Sequence, residues 1–579
     1  MRQRKHEREH KRQRGQYMTP ASLVDDIVRR IPLDNCTRVL EPSCGDGAFL
    51  TALATRLLDV SRGHRSSKSV DLMGIEIDRA LVERCRTRVA EHAVTVSSRV
   101  NVDVFEADFF HAYLTGSLAG TCGSNRHLHH STFDLIVGNP PFGGTFDHAI
   151  EDILDSRLGR RLGKKIKKET YAFFIVACVD LLRPGGQLVF VCSDSLLTIP
   201  TMTGLRHLLG ELGEVALSDI QEFSSETSYP MLVLDFVKRR RQGRLTRNGL
   251  LIERRAIQAT PNLSWGITPD LAPLFTGPLM KDTFVASSGM TTGKNEYFVR
   301  TSDDDDCIVE PYRFEFYDAP VTVAYELERA RLRKLPRARK RALEEAEARG
   351  DSERRIRIVR RKEPRVVRLP DRRYWPYNKA NGRLVFADPT HWIYWKDDGE
   401  AVLTYKRTGN WYLRGVGGQR FFGREGLTWQ LVGARFVARY LPQGYILDSG
   451  APCAFVRGNG GKDEVFFALG WLLSDLANRI LKTVINHTMN IQSKDFERMP
   501  YPWWVENSTR RIVVECVESM IEEARRGRKW KWKDREIRRL SKLFEWHPRV
   551  KQRSVPTASS SARRMETGDL FQAEGRVGR

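Results

Sequence analysis

The chain has 579 residues, 41% of them apolar, and 95 Lys and Arg stand against 72 Asp and Glu, a formal net charge of +23 at pH 7. The length suits two or three domains, and the apolar content excludes a disordered or fibrous protein. The charge predicts a polyanionic partner, because phosphate contacts release counterions. No apolar run reaches the roughly 18–20 residues of a membrane helix, and the charged start is unlike a secretory signal.

The nine cysteines are scattered along the chain, and no two of them have CxxC spacing. The odd count and the spacing argue against a zinc ribbon or a disulfide framework and predict a protein of the reducing cytoplasm. His127, His129 and His130 form a small cluster that lacks an accompanying carboxylate or cysteine pair. We therefore expect no metal site.

The first part of the chain predicts an alternation of strands and helices. Residues 1–14 are expected to form a flexible basic arm, and residues 15–255 a catalytic domain. Strands separated by helices imply a doubly wound α/β fold, with a parallel sheet covered on both faces. The predicted strands are 38–40, 72–77, 101–106, 133–137, 187–192 and 231–236, and the predicted helices are 22–30 and 171–182.

The pattern changes beyond residue 255, where aromatic residues and short strand-like segments occur without regular alternation. We expect a mixed α+β domain over residues 256–505, a helical segment over 506–550 and a disordered tail over 551–579. Residues 326–373 carry 19 Lys and Arg against 9 Asp and Glu. A basic, aromatic-rich module of this kind can grip phosphates while its loops probe base edges.

The first predicted strand runs into a turn that contains two glycines, and a helix follows. Gly45 and Gly47 allow a tight turn and a close approach to a ligand. The free N–H groups of the helix N-terminus suit a carboxylate, such as the methionine end of S-adenosylmethionine. The turn is neither a nicotinamide GxGxxG nor a phosphate loop. The residues that we expect to line the cofactor site here are Glu41, Pro42, Gly45, Asp46 and Gly47.

Two acidic residues stand at the ends of the next two strands. Glu76 can accept hydrogen bonds from both ribose hydroxyls of a nucleoside, and we expect Ile77 beside it to line the cofactor site as well. Asp108 can accept from an adenine amino group, and the ring of Phe109 can cover the base. Each segment alone is also compatible with a tight turn in an unrelated α/β enzyme. Their occurrence at three successive strand ends favours a cofactor site.

The fourth strand ends in the turn Asn139-Pro140-Pro141-Phe142, which the two prolines hold rigid. An exocyclic adenine amine is a poor nucleophile because its lone pair is conjugated with the ring. Acceptors on its two N–H bonds, the Asn139 side-chain oxygen and the Pro140 carbonyl, would draw the nitrogen toward sp³ and free the lone pair. Phe142 offers a stacking face for a base flipped out of a duplex.

The order of these motifs resembles that of the γ-type amino-methyltransferases of DNA, the adenine-N6 enzymes of restriction–modification and phage-defence systems. The resemblance implies a Rossmann-like, S-adenosylmethionine-dependent methyltransferase domain followed by a target-recognition domain. It implies adenine-specific methylation of duplex DNA, with S-adenosylmethionine as methyl donor, no metal, and a separate restriction or phage-defence subunit as a possible partner.

The same resemblance assigns three more sites. Residues 15–20 are similar to the family's segment that closes over the cofactor, which implies cofactor contacts from Tyr17, Thr19 and Pro20 and from Asn139 opposite. Phe223 falls where the family has an aromatic residue that stacks on the other face of the flipped base. Residues 289–295 and 486–492 resemble pieces of target-recognition regions in large adenine methyltransferases. Together with residues 427–429 and 448–450, they resemble the methyltransferase of the phage-exclusion systems called BREX.

Three alternatives remain open from the sequence. Asn-Pro-Pro-aromatic turns also occur in enzymes that methylate guanine N2 in RNA or a glutamine amide in protein. A DNA-binding defence subunit that has lost its activity would keep the same fold. Cytosine N4 presents a similar amine, although Asn rather than Ser at the first position of the turn resembles the adenine enzymes.

Overall fold

A computed structural model gives the fold of the chain, and it describes seventeen stretches of sequence. These are residues 18–34, 36–63, 69–93, 100–118, 126–128, 132–141, 153, 156, 170–220, 230–301, 307–320, 345, 348–368, 372–409, 418–458, 461–527 and 533–546. Several predicted features lie outside the described residues, namely the basic arm 1–14, the tail 551–579, Tyr17, Phe142, Phe223, His129 and His130.

The largest sheet of the described chain has nine strands in the order β11-β10-β8-β9-β7-β6-β1-β2-β3. Its strands are β1 (Arg38–Glu41), β2 (Val70–Glu76), β3 (Val100–Glu106), β6 (Phe133–Gly138), β7 (Leu182–Ser193), β8 (Gly213–Ile220), β9 (Met231–Lys238), β10 (Leu245–Arg247) and β11 (Leu250–Leu251). A small hairpin, β4 (Ser117–Leu118) with β5 (Arg126–His127), lies outside it. All of β6 is buried, as expected of a strand covered on both faces.

Helices cover both faces of this sheet, which confirms the doubly wound α/β prediction. They are α1 (Ala21–Arg30), α2 (Ala48–Gly63), α3 (Arg79–Ala93), α4 (Phe109–Thr115), α5 (Thr170–Leu181), α6 (Ser195–Thr198), α7 (Thr203–Leu212) and α8 (Arg254–Ala259). Val39 of β1 packs into one apolar cluster with α1 and α2, while the next residue, Leu40, packs into the cluster around α5. This alternation follows from the two-residue period of a strand.

The parallel arrangement predicted for the sheet holds from β3 to β7, whereas β9 runs in the opposite direction. This strand pairs antiparallel with β7 on one side and with β8 on the other. Only residues 221–230 separate β8 from β9. A parallel crossover needs about a dozen residues or more, so the short connection forces the chain to return antiparallel.

The remaining described strands form smaller sheets, as the mixed α+β prediction requires. One sheet has the order β12-β21-β18-β19, another has the order β13-β17-β16-β20, and β14 and β15 form a long hairpin. The strands are β12 (Phe284–Ser287), β13 (Val299–Thr301), β14 (Cys307–Pro320), β15 (Ser352–Arg368), β16 (Tyr374–Asn378), β17 (His391–Tyr394), β18 (Gly426–Trp429), β19 (Ala438–Leu441), β20 (Ile446–Leu447) and β21 (Cys453–Val456). The domain boundaries at residues 255 and 505 stay predictions.

Helices of this second part pack on the smaller sheets. They are α9 (Met280–Thr283), α10 (Asn295–Phe298), α11 (Glu400–Gly409), α12 (Lys462–Leu473), α13 (Asp475–Ile480), α14 (Ser493–Arg498), α15 (Asn507–Arg525) and α16 (Lys533–Leu543). Single turns of 3-10 or π helix lie at Pro200–Met202, Ala272–Thr276, Lys396–Gly399, Gln419–Phe421 and Leu481–Ile485. Helices α12 and α15 pack together, and one apolar cluster extends from them to the nine-stranded sheet. No helix among the described residues is long and apolar enough to cross a membrane.

A buried arginine on α7 joins the loop after β7 to the segment that follows α8. The Arg206 guanidinium on α7 donates to the carbonyl oxygens of Leu196, Ile199, Asn262 and Leu263 at 2.6–3.1 Å. The side chain is 1% exposed, and burial lowers its pKa to about 9. These bonds hold residues 262–263, which follow α8, against the short helix α6.

We expect Arg206→Ala to lower the free energy of unfolding by roughly 3–5 kcal/mol, because four buried carbonyls lose their donor. Arg247→Ala is the matched control, since this half-buried arginine at the end of β10 pairs with Asp219 at 3.0 Å and its loss should cost less than about 1 kcal/mol. Urea unfolding of both variants measures the difference. Equal effects of the two substitutions would contradict the role given to Arg206.

Candidate active site

The turn between β1 and α2 has the backbone that its two glycines allow. Gly45 has φ +54° and Gly47 has φ +84°. A Cβ atom on Gly47 would lie 2.6 Å from Cys85 Sγ, so a larger residue does not fit there. A Cβ atom on Gly45 would lie 3.5 Å from Met18 Sδ. The chain just before α1 therefore lies over this turn, as the predicted closing segment requires.

The Glu76 carboxylate at the end of β2 is bonded to the same turn. Its Oε2 accepts from the Gly45 N–H, and its Oε1 accepts from the N–H groups of Ile77 and Asp78, all at 3.0 Å. Burial raises the pKa of Glu76, and these three bonds partly offset the rise. A carboxylate has about four acceptor positions, so one remains for a ligand hydroxyl. The two segments predicted to bind one nucleoside are thus directly joined.

Glu41, the last residue of β1, is a buried acid at the centre of this edge. It is 2% exposed, and burial raises the pKa of its carboxyl well above the usual range. The Glu41 Oε2 atom is buried and makes no hydrogen bond within the described residues. A cationic ligand group, such as the ammonium of S-adenosylmethionine, would satisfy this oxygen. The residues present therefore fit the predicted cofactor.

The Asn-Pro-Pro turn lies beside the glycine turn because β6 is the parallel neighbour of β1. Ser43 Oγ donates to the Asn139 carbonyl oxygen at 3.4 Å. Gly138, just before the turn, has φ +151°, and a Cβ there would lie 3.4 Å from Glu41 Cγ. Asn139 and Pro141 are half-buried and Pro140 is buried. The predicted cofactor turn and the predicted catalytic turn are thus in contact.

The two residues that follow β3, Asp108 and Phe109, only partly suit the roles predicted for them. Asp108 is the N-cap of α4, and its Oδ1 accepts from the His111 N–H at 2.8 Å. Phe109 is 4% exposed and stacks on Phe174 at 4.8 Å between ring centroids. Ile77, by contrast, is 58% exposed at the end of β2. On exposure alone, Ile77 is better placed than Phe109 to cover a bound adenine.

The other predicted cofactor residues lie around the same edge. Asp46 forms an ion pair with Arg88 of α3 at 3.0 Å, and Pro42 is buried. Thr19 and Pro20 are half-buried just before α1. Within the described residues, no group of three or more His, Cys, Asp or Glu side chains could hold a metal ion. The binding roles of all these residues stay predictions.

The four segments predicted to recognise a target meet in two pairs. Met290 forms a parallel bridge with Asp448, which joins residues 289–295 to 448–450. Trp429 Nε1–H donates to the Ile491 carbonyl at 3.0 Å, which joins residues 427–429 to 486–492. Sequence reasoning singled out these segments separately, and the structure brings them together.

One contact between the two parts of the chain had no signal in the sequence. His487 Nε2 lies 3.0 Å from Asp194 Oδ1, directly after β7, and both side chains are less than one-fifth exposed. His487 Nδ1 lies 2.8 Å from Thr198 Oγ1. Asp194 stands in no recognisable motif, so only the fold could reveal that segment 486–492 contacts the sheet here.

Comparison with known proteins supports the catalytic part of this picture. Residues 3–203 match the family described as N-6 DNA Methylase. The chain is 26% identical over 290 residues to the Type II methyltransferase M.XhoI of Xanthomonas vasicola, covering 46% of this chain and 48% of that protein. It is 30% identical over 230 residues to the Type II methyltransferase M.TthHB8I of Thermus thermophilus, covering 39% and 45%. The chain thus spans about half the length of these curated relatives.

Two solved structures share the fold over most of the chain. A nuclease-deletion mutant of the Type ISP restriction-modification enzyme LlaGI, in complex with a DNA substrate mimic, aligns with TM-score 0.51 and 13% identity. That alignment covers 87% of this chain and 46% of that one. The Type IIL restriction-modification enzyme MmeI, in complex with DNA, aligns with TM-score 0.50 and 11% identity, covering 91% and 71%. The resemblance predicted from the sequence and the predicted fold class are confirmed.

Compared with the wild type, the ligand-free Glu41→Gln variant should become increasingly stable as pH rises from 5 to 8. Because burial raises the folded-state pKa of Glu41, the wild type loses stability between the unfolded value, about 4.3, and the folded one. The same variant should bind S-adenosylmethionine at least roughly tenfold more weakly, since breaking a buried charge pair costs about 2–5 kcal/mol.

Thermal unfolding across this pH range and calorimetric titration with S-adenosylmethionine check both results. Glu91→Gln, an exposed change on α3, is the matched control. Identical pH profiles for Glu41→Gln and the wild type would contradict the buried, proton-binding state of Glu41.

Proposed function

From the match of residues 3–203 to the N-6 DNA Methylase family, we propose that this protein transfers the methyl group of S-adenosylmethionine to adenine N6 in duplex DNA. The observation that carries the proposal is the contact between the glycine turn after β1 and the Asn-Pro-Pro turn after β6. One edge of the sheet thus holds the predicted cofactor turn beside the predicted catalytic turn.

The cofactor half of this edge would bind S-adenosylmethionine through two carboxylates and through the backbone of the glycine turn. Glu41 would hold the methionine ammonium, Glu76 the ribose, and Ile77 the adenine face. Bound S-adenosylmethionine supplies an electrophilic methyl group on its sulfonium. Gly45 and Gly47 give this turn its left-handed backbone, and Met18 lies next to it.

The acceptor half of the edge would orient and activate the adenine amine. The Asn139 side-chain oxygen and the Pro140 carbonyl each accept one N–H of the amine, which weakens conjugation of its lone pair with the ring. As the new N–C bond forms, the bond between that carbon and the cofactor sulfur would break and leave a neutral thioether. The methylated nitrogen would then be positively charged and would release one of its protons to water. A duplex base reaches this turn only when it is flipped out, with Phe142 and Phe223 proposed as its stacking partners.

The β14–β15 hairpin offers a surface for the DNA backbone. On one face, Phe314, Phe316, Ile356 and Ile358 pack on the apolar cluster beneath. Exposed arginines lie along β15, with Arg357 on the opposite face and Arg354 and Arg360 flanking Ile356 and Ile358 on the same face. Arg354 pairs with Glu400 at 2.6 Å. We propose that Arg357 and Arg360, which form no ion pair within the described residues, contact phosphates, which fits DNA better than a protein acceptor.

The proposal also covers the cellular system in which the protein acts. The Type I restriction enzyme EcoEI methylase subunit of Escherichia coli is 23% identical over 187 residues, covering 32% of this chain and 33% of that protein. Its name identifies it as one subunit of a restriction enzyme. We propose that the present chain likewise acts in a restriction–modification or phage-defence system, with a separate protein for any cleavage.

Asn139→Ala should abolish methylation of plasmid DNA while the protein still binds S-adenosylmethionine. The side-chain amide oxygen is lost, yet Glu41, Glu76 and the glycine turn remain. Transfer of labelled methyl groups, followed by nucleoside mass spectrometry, should show N6-methyladenine for the wild type only. Full activity of the variant would contradict the mechanism, and methylated cytosine, RNA or protein instead of adenine would identify a different acceptor.

Arg357→Ala with Arg360→Ala should weaken DNA binding uniformly across sequences. Each lost phosphate contact lowers the slope of log Kd against log salt by about 0.9, so the pair should lower it by about 1.8. Fluorescence anisotropy over a salt series measures the slope. Arg354→Ala is the matched control, because Glu400 already neutralises this arginine. An unchanged slope in the double variant would remove the hairpin from the DNA-binding surface.

A further inference from the structure

Two large apolar side chains are exposed on neighbouring chain segments outside the site described above. Met489 is 52% exposed and Val432 is 49% exposed. An antiparallel bridge joins Val432 to Asn490, and the Gly433 N–H donates to the Met489 carbonyl at 2.7 Å. Single exposed apolar residues are common, but here backbone bonds hold two together. Val432 and Met489 are called the apolar tip below.

Hydrogen bonds fix the two loops that carry the apolar tip. Lys482 Nζ donates to the carbonyls of Gly433 and Thr488 at 3.1 and 2.6 Å. The buried Asn486 amide donates to Asp495 Oδ2 at 2.8 Å, and Asn486 Oδ1 accepts from the Thr488 N–H at 2.9 Å. Both loops therefore lose little further freedom when the tip binds a partner, and such preorganisation favours binding.

The apolar tip is fixed to the edge of the sheet that carries the catalytic turn. His487, two residues before Met489, contacts Asp194 at 3.0 Å. Asp194 lies four residues beyond Phe190, which pairs with Gly138 in the neighbouring strand. With about 3.3 Å per residue and about 4.8 Å between strands, the backbones of Asp194 and Asn139 lie within about 15 Å. A duplex that presents a base to Asn139 would pass close to the tip.

We propose that Val432 and Met489 enter the duplex beside the target base pair and occupy the space that the flipped adenine leaves. Apolar side chains inserted between base steps separate the stack, and their removal from water offsets part of the cost of unstacking. The His487 contact with Asp194 then sets the tip at a fixed position relative to Asn139. This inference rests on the proposed methylation of duplex adenine.

The experiment compares one variant on two duplexes. Val432→Ala with Met489→Ala is assayed by single-turnover methylation of an oligonucleotide taken from plasmid DNA that the wild type methylates. In one duplex the target adenine faces thymine, and in the other it faces an abasic position, where leaving the helix costs less. The variant should be roughly tenfold or more slower on the paired duplex and within about twofold of the wild type on the abasic one.

A matched control and three outcomes make the test decisive. Leu250→Ala removes an apolar side chain that is 75% exposed on β11, at the far edge of the sheet, and should match the wild type on both duplexes. A paired-duplex rate equal to that of the wild type overturns the inference. Equal loss on both duplexes also overturns it, since the tip would then serve docking or a protein contact. Failure of the wild type to methylate the plasmid DNA itself instead refutes the proposed function, before the variants are compared.

Discussion

The position of β1 between β2 and β6 is the constraint on which the rest of the structure depends. Parallel strands end at the same edge of a sheet, so the turn after β1 meets the end of β2 on one side and the turn after β6 on the other. The Gly45 N–H bond to Glu76 and the Ser43 bond to the Asn139 carbonyl record these two contacts. A change in strand order would separate the predicted cofactor turn from the predicted catalytic turn.

Glu41 fits the proposal that this edge binds a ligand, because its carboxyl lowers the stability of the ligand-free fold. A carboxyl that is 2% exposed with an unsatisfied oxygen destabilises the ligand-free fold, as its raised pKa indicates. An apolar residue of similar size would pack there at lower cost. The chain keeps an acid at this position, which is understandable if a cation binds against it.

Local patterns in the sequence predicted the elements that carry the site. The apolar runs of β1, β2, β3 and β6, the two glycines and the Asn-Pro-Pro turn all lie where expected, because each depends on residues close together in the chain. The antiparallel β9 could have been anticipated from its short connection. The His487–Asp194 contact could not, since it joins distant segments and neither residue type signals a partner.

The same distinction applies to individual side chains. Asp108 was predicted from its place at a strand end, but the structure also makes it the N-cap of α4, a role set by the helix that follows. Phe109 was predicted to cover a base, yet its burial against Phe174 depends on α5, far along the chain. Ile77 was predicted to line the cofactor site with Glu76, and only the fold showed how exposed it is.

The central claim is that one sheet edge holds the cofactor and the adenine together. The most direct measurement is a crystal structure with S-adenosylhomocysteine and a duplex that the enzyme methylates. The account predicts the methionine ammonium against Glu41 and a flipped adenine whose N6 lies about 3 Å from the Asn139 side-chain oxygen. A cofactor bound elsewhere, or a fully stacked duplex with no base at Asn139, would contradict it.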